Sequence, residues 1–209
     1  MINVCIAESI PMIQYAIRTY FSNHSQIKIT SILDNFEELI SNMSNNNFNV
    51  LVVDLSIENF ESIKKLKKLA KEYTQTNIII LTALSEKMYA PIAMKIGISA
   101  FLSKKITLQE LERAIIKVYD GYVIYSENIK KNLSNFKALS LTDGFYKKLS
   151  NRELEVLRFL SEGKKNKEIS NLLFIDEKTV STYKLRLQSK LHVNNLIDLI
   201  NKAKQLDII

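Results

Sequence analysis

Residues 166–191 read NKEISNLLFIDEKTVSTYKLRLQSKL, and this stretch decides how the rest of the chain is understood. Ile169, Leu172 and Leu173 recur at i, i+3 and i+4, which predicts a short helix over 167–173 with one apolar face. A second helix is expected over 177–190, with the Asp176 carboxylate capping the free N–H groups of its first turn. At about 100° per residue, Val180, Tyr183, Leu187 and Leu191 fall on one side of that helix, the pattern of a face packed on a small core. The other side carries Lys178, Ser181, Thr182, Leu185, Arg186 and Ser189, so it is polar and cationic with one exposed aliphatic. Most charged helix faces are simply solvated. Two short helices joined by a tight turn, the second presenting Ser, Thr, Lys and Arg, nevertheless form a helix-turn-helix, whose second helix enters the major groove of duplex DNA.

Outward from this motif, charge is distributed unevenly. Of the net +7, residues 147–209 hold +5, with 13 Lys+Arg against 8 Asp+Glu, and residues 1–146 hold the remaining +2. A basic C-terminal third suits a phosphate-backbone partner. With 46% hydrophobic and 24% charged residues the composition is that of a globular protein of one or two domains. No apolar run is long enough to span a bilayer and no signal-peptide pattern opens the chain, so a cytoplasmic protein without membrane insertion is expected. Cys5 is the single cysteine, which leaves no disulfide or Cys-based zinc site and reads as a buried thiol. His24 and His192 lack ligand-spaced partners and read as structural.

From the N-terminus, short β-branched runs alternate with amphipathic stretches. Strands are expected at 3–7, 27–32, 50–54, 77–81 and 100–102, and helices at 11–21, 35–43, 60–73, 87–96 and 108–119. This is the signature of an α/β parallel sheet covered by helices. In open sheets of this kind the functional crevice lies outside the carboxyl ends of the strands. Glu8 and Ser9, Asp54, Thr82, and Ser103 with Lys104 stand at four of those ends. Gly97, Gly121 and Gly163 each follow a helical pattern, as C-terminal caps do, and no phosphate-cradling glycine loop is present. The pattern weakens over 123–146, an expected linker with room for one short helix. It returns at Ser150, whose spacing to Glu153 is that of a capping box, and a final helix after Asn194 or Asn195 is expected to bury Leu196, Leu199 and Ile200.

Several motifs carry a resemblance: LSNRELEVL at 149–157, Gly163, NKEI at 166–169, Phe174 and Ile175, KTVSTYK at 178–184, and Lys190 with Leu191. With these the chain resembles, over essentially its full length, two-component response regulators with a LuxR/NarL-type DNA-binding domain, of the BvgA and EvgA kind. The resemblance implies a flavodoxin-like (βα)5 receiver domain over 1–122 and an all-α, four-helix DNA-binding domain over 147–209. By position it implies Asp54 as phospho-acceptor, Thr82 and Lys104 as partners of the phosphoryl group, and Phe101 as the aromatic switch. Mg²⁺ would be held by Glu8, Asp54 and the backbone of Ser56, at a site made poorer because Ser9 replaces an acid and removes one charge. Lys178, Thr179, Ser181, Thr182, Lys184, Leu185 and Arg186 would meet DNA, and Leu196, Leu199 and Ile200 would form a homodimer contact. A sensor histidine kinase or phosphotransfer protein would be the phosphoryl source.

The expectation is therefore a DNA-binding regulator, not an enzyme, controlled through a partly degenerate pocket at Asp54. An alternative keeps the DNA-binding domain and makes the receiver an interaction or dimerisation module that works without phosphorylation. An enzyme using the Glu8/Asp54 edge is a third reading, disfavoured because no nucleophile–base pair or substrate loop is evident.

Overall fold

A computed structural model describes residues 1–45, 48–60, 62–127, 129 and 149–209, which fall into two compact units, Met1–Ile129 and Lys130–Ile209. In the first, β1 (Ile2–Ala7), β2 (Ile27–Leu33), β3 (Val50–Val53), β4 (Asn77–Thr82) and β5 (Ala100–Ser103) form a parallel sheet in the order β2-β1-β3-β4-β5. Helices α1 (Pro11–Phe21), α2 (Phe36–Asn45), α3 (Ile63–Glu72), α4 (Glu86–Lys95) and α5 (Leu108–Tyr119) alternate with the strands. All four residues of β3 are buried, as a central strand covered on both faces demands. Successive side chains of a strand point to opposite faces. Val4, Ile6, Val50, Val52 and Ile79 accordingly share one core with Ile17 and Phe21 of α1 and Leu111, Ile115 and Val118 of α5. Cys5, Leu51, Val53, Ile78 and Ile80, on the alternate positions, are just as deeply buried.

Local signals account for the helix starts. Pro11 opens α1, where its missing N–H and fixed φ cost nothing. Thr107 and Glu110 cap α5 reciprocally. The third helix begins later than its pattern predicts, at Ile63 rather than 60, and Asn59, just before the expected start, takes a left-handed conformation with φ 60°. Gly97, Gly121 and Gly163 all have positive φ, as their post-helix positions require, and so does His192, at 56°.

The first unit runs past 122, where a linker was expected to begin. Ile124 forms a parallel bridge to Ala100: its N–H donates to the Ser99 carbonyl at 2.8 Å and its carbonyl accepts from the Phe101 N–H at 3.1 Å. The Tyr125 hydroxyl donates to the Ile98 carbonyl at 2.7 Å, and Tyr125 and Ile129 are both buried. An alternation of apolar residues too short to register as a strand thus covers the β5 edge, which would otherwise offer unpaired backbone groups. Within the expected linker Glu127 and Ile129 are helical, in keeping with the short helix expected there; Gly144 lies outside the described residues.

The second unit has four described helices, α6 (Asn151–Ser161), α7 (Asn166–Leu173), α8 (Glu177–Leu191) and α9 (Leu196–Gln205). Ser150 and Glu153 form the expected capping box on α6. Asp176 occupies the N-cap of α8, but its carboxylate makes no capping hydrogen bond. Leu157, Ile169, Leu173, Val180, Leu187, Leu191 and Leu199 build the core, while Tyr183, expected among them, is half-buried.

Candidate functional site

The carboxyl edge of the sheet brings Glu8, Asp54, Thr82 and Lys104 together. Backbone pairing continues one residue beyond the strands: the Asp54 N–H donates to the Ala7 carbonyl and the Lys104 N–H to the Thr82 carbonyl, both at 2.9 Å. Strand register therefore sets these side chains side by side. Glu8, Asp54 and Thr82 are 2%, 3% and 0% exposed, an unusual depth for carboxylates unless a charge compensates them. The Lys104 Nζ does so, lying 2.7 Å from Glu8 Oε2 and 2.7 Å from Asp54 Oδ2. Burial works to lower the pKa of the ammonium, but its hydrogen bonds to Asp54 and Glu8 and their charges outweigh that, leaving it above the ordinary lysine value.

The other carboxylate oxygens differ. Glu8 Oε1 accepts from the Ile10 N–H at 2.8 Å, which holds the turn into α1. Asp54 Oδ1 is buried and has no hydrogen-bond partner. An orphaned acceptor of this kind calls for an explanation by function. The Glu8 and Asp54 carboxylates, brought together at this edge, are the kind of oxygen donors that suit a hard divalent cation such as Mg²⁺, which takes one or two carboxylates and keeps several waters. The fit is a lean one, since no group of three His, Cys, Asp or Glu side chains capable of holding a metal occurs among the described residues. Ser9 is half-buried beside Glu8. Glu58, the nearest acid in sequence after Asp54, is exposed, and its carbonyl accepts from the Phe36 N–H at 2.9 Å, so its loop is held against the start of α2. Ser56 is exposed and Phe101 buried at 4%. The Thr82 hydroxyl accepts from the Leu84 N–H at 3.3 Å.

One residue here was not visible from the sequence. Gln14, on the first turns of α1, donates its amide to the Glu8 carbonyl and to the Asp34 carboxylate, tying the β1–α1 turn to the β2–α2 turn. Its place one turn into a helix that starts beside Glu8 was the available signal.

In the second unit, α8 presents Lys178, Thr182, Leu185 and Arg186 to solvent, with Thr179, Ser181 and Lys184 half-buried. Leu185 is 66% exposed. No carboxylate among the described residues pairs with Lys178, Lys184 or Arg186; the Arg186 guanidinium instead lies 5.8 Å from the Tyr183 ring centre. The Thr182 hydroxyl donates to the Lys178 carbonyl at 2.9 Å and the Ser181 hydroxyl to the Glu177 carbonyl at 3.1 Å. Ser181 Oγ also accepts from Asn166 Nδ2 at 3.0 Å, a partner given no role in the sequence reading although it stands in the NKEI motif. At the far end, Lys190 Nζ lies 2.7 Å from Glu153 Oε2, joining α8 to α6. On α9, Leu196 and Ile200 are half-buried, but Leu199 is 0% exposed and belongs to the core of its own unit. The expectation that Leu199 makes a dimer contact is corrected accordingly: the large apolar side chain that α9 leaves outside is Ile197, 72% exposed.

Comparison with known proteins matches residues 4–116 to the response regulator receiver domain and residues 147–203 to the bacterial regulatory proteins of the luxR family. Fimbriae Z protein of Salmonella typhimurium is 27% identical over 208 residues, covering 99% of this chain and 98% of that one. The virulence-factor transcription regulator BvgA of Bordetella pertussis is 27% identical over 202 residues, covering 97% and 96%. Among solved structures, the RcsB response regulator of Salmonella typhimurium aligns with a TM-score of 0.80 at 25% identity, over 99% of this chain and 98% of that one. RcsB of Salmonella enterica serovar Typhimurium, bound to promoter rprA in the presence of phosphomimetic BeF3⁻, aligns with a TM-score of 0.73 at 25% identity, over 97% and 98%.

Proposed function

This chain belongs to the two-component response regulators that join a receiver domain to a LuxR-type DNA-binding domain, and from that premise we propose that Asp54 is its phospho-acceptor and α8 its base-reading helix. A DNA-binding transcription regulator is what the two matched domains make of it. The observation that carries the phosphorylation reading is the state of Asp54: buried, with Oδ2 on the Lys104 ammonium and Oδ1 free of any partner. Oδ1 is then the oxygen whose lone pairs are available to attack phosphorus. A P–O bond forms to Oδ1 as the bond from phosphorus to the donor breaks, and the donor, a phosphohistidine or a small acyl phosphate, leaves with the electron pair.

Phosphoryl transfer is mostly positioning and charge stabilisation. Lys104 and Thr82 are placed to supply it. The ammonium need only move from the carboxylates to the new phosphoryl oxygens, and the Thr82 hydroxyl, which accepts from the Leu84 N–H, keeps its hydrogen to donate. Glu8, Asp54 and the Ser56 backbone would hold Mg²⁺, which when bound supplies neutralisation of the phosphoryl oxygens. With Ser9 in place of an acid, that ion is held by one charge fewer, so the pocket is partly degenerate. Phe101, on the strand that carries Lys104, would follow the change, and a phosphoryl group biases a two-state element in this way.

In the DNA-binding unit, Lys178, Thr179, Ser181, Thr182 and Leu185 would face base edges, while Lys184 and Arg186 reach phosphates. A single module buries little DNA, so a homodimer reading half-sites about one helical turn apart is proposed, with α9 as its contact through Leu196, Ile200 and the exposed Ile197. The protein would act in the cytoplasm; no described helix is long and apolar enough to cross a membrane.

Incubation with acetyl phosphate and Mg²⁺, followed by mass spectrometry, tests the assignment. Mass addition on the Asp54 peptide is expected in the wild type and none in Asp54→Ala. A second reading, a regulator that works without phosphorylation, is favoured by Ser9 and by the ammonium already clamped between Glu8 and Asp54. It gains if the wild type takes no phosphoryl group at saturating Mg²⁺ yet binds its promoters.

A further inference from the structure

A serine hydroxyl has one hydrogen and two lone pairs, so by itself it serves as donor or acceptor to any base edge. Ser181 does not have that freedom. Its Oγ lies 3.1 Å from the Glu177 carbonyl oxygen, an acceptor with no hydrogen to give, so the O–H is spent there. Asn166 reaches the same Oγ at 3.0 Å, and with the hydroxyl hydrogen already committed that bond must be donated by Asn166. The amide is thereby oriented with Nδ2 toward Ser181. One lone pair remains on Oγ.

Back-bonding to the carbonyl four residues earlier is common for helical hydroxyls and is readily given up. Among the described residues Thr182 has only this bond, to Lys178. Ser181 is held more firmly, because rotating χ1 would also leave the half-buried Asn166 amide without its acceptor, and turning the O–H outward would set an oxygen lone pair against the Glu177 carbonyl. Asn166 comes from α7, so the constraint crosses the turn between the two helices.

We propose that Asn166 is a positioning residue for sequence reading, which holds Ser181 as an acceptor-only probe so that α8 selects a base amino group, adenine N6 or cytosine N4, at the position Ser181 meets. This rests on the reading of α8 as the groove-facing helix. Guanine offers N7 and O6 and thymine offers O4 at the same edge, acceptors that leave a hydrogen-less Oγ unpaired. Donors toward those bases come instead from Lys178 at the exposed start of the helix.

Selection by the full-length wild type from randomised duplexes at one fixed salt concentration yields its preferred site, and repeating it with Ser181→Ala identifies the base pair whose preference disappears. Deleting the amino group of that pair, by purine for adenine or 2-pyrimidinone for cytosine, is expected to weaken wild-type binding about tenfold and leave Ser181→Ala unaffected. Asn166→Ala, checked for native helicity by circular dichroism, is expected to tolerate all four bases at that pair while binding random duplex as the wild type does. The analogue measurement does not depend on Asn166→Ala folding. Sensitivity to 7-deazaguanine at that pair in place of sensitivity to amino deletion would overturn the proposal, as would an Asn166→Ala profile identical to the wild type. If Ser181→Ala changes no position at all, the assignment of Ser181 to base reading falls with it; if only Asn166→Ala is silent, that assignment survives and the positioning role alone is lost.

Discussion

The two charged clusters of this protein are built on opposite rules. In the receiver, the buried Glu8 and Asp54 carboxylates share the half-buried Lys104 ammonium at 2.7 Å, which leaves one negative charge over. On α8, Lys178 and Arg186 stand in solvent with no carboxylate beside them among the described residues. A buried cluster must carry most of its compensation before any partner arrives, because unpaired charge in a low-dielectric interior is expensive. An exposed one can leave its compensation to the partner, since water bears the cost meanwhile. On the proposed function, the receiver's remaining charge would serve a covalent event and the helix's charge a polyanion.

Removing the cation from the buried cluster tests that contrast most severely. Lys104→Met leaves two buried carboxylates facing each other without compensation, and the receiver should lose about 3–5 kcal/mol of stability in urea unfolding. Lys184→Ala should cost the second unit nothing measurable. A loss under about 1 kcal/mol in Lys104→Met would mean that water already reaches Glu8 and Asp54, and the contrast between the clusters would dissolve.

Next in size is the metal. Ser9→Asp returns a carboxylate to a pocket with two, and should tighten Mg²⁺ binding on the order of tenfold, read by titration of tyrosine fluorescence or by calorimetry. No tightening would place the missing charge elsewhere, and Asp34, tied to the Glu8 turn through Gln14, would be the residue to substitute next.

How much of this was legible in the sequence differs between the regions for physical reasons. Every strand and helix of the sheet was visible because strand and helix periods dominate a buried core, and the bounds of α1 and α5 coincide with their patterns. The strap at Ile124 and Tyr125 was not, since two residues that pair with a strand edge leave no periodic trace. At the site, convergence of Glu8, Asp54, Thr82 and Lys104 followed from topology alone. The double engagement of Lys104 and the orphaned Asp54 Oδ1 did not, because they depend on side-chain reach of a few tenths of an ångström. Likewise the apolar period of α9 marked Leu196, Leu199 and Ile200 as one face, but a period cannot separate a core position from an interface position. Only burial assigns Leu199 to the former and leaves Ile197 exposed.

The exposed cluster yields a smaller effect of a different kind. Lys184→Ala or Arg186→Ala should weaken binding to all duplexes alike, severalfold, and each should lower the slope of log affinity against log salt by about one. The selected sequence should stay the same. A changed sequence preference with an unchanged slope would move these cations from phosphates to bases and make α8 a reader along its whole exposed face.

The smallest effect separates the units by pH. Glu153, at the start of α6, accepts from the Ser150 N–H at 2.6 Å and from the Lys190 ammonium at 2.7 Å. Burial pushes its pKa up, but the bonds from Lys190 and Ser150 outweigh that and hold the carboxyl below its ordinary value of 4.5. A group whose folded pKa is depressed stabilises the fold above its unfolded pKa, and that contribution is lost as pH falls through the folded value. Lys104 has the opposite sign: its raised pKa means a contribution present below its ordinary 10.5 and lost as pH rises through the folded value. Glu153→Gln keeps the cap, since glutamine also completes a capping box, and removes only the charge. With Lys190 about one-third exposed, that charge is worth roughly 0.5–1 kcal/mol after solvent screening. Amide exchange in α6 should therefore show the variant weaker than the wild type at neutral pH, and the two should converge at pH values well under 4.5, where both side chains are neutral. The receiver, followed in the same samples, should show no difference at any pH. A gap that persists undiminished into acid would assign the loss to the cap rather than to the Lys190 pair, and the link from α6 to α8 would then be steric and not electrostatic.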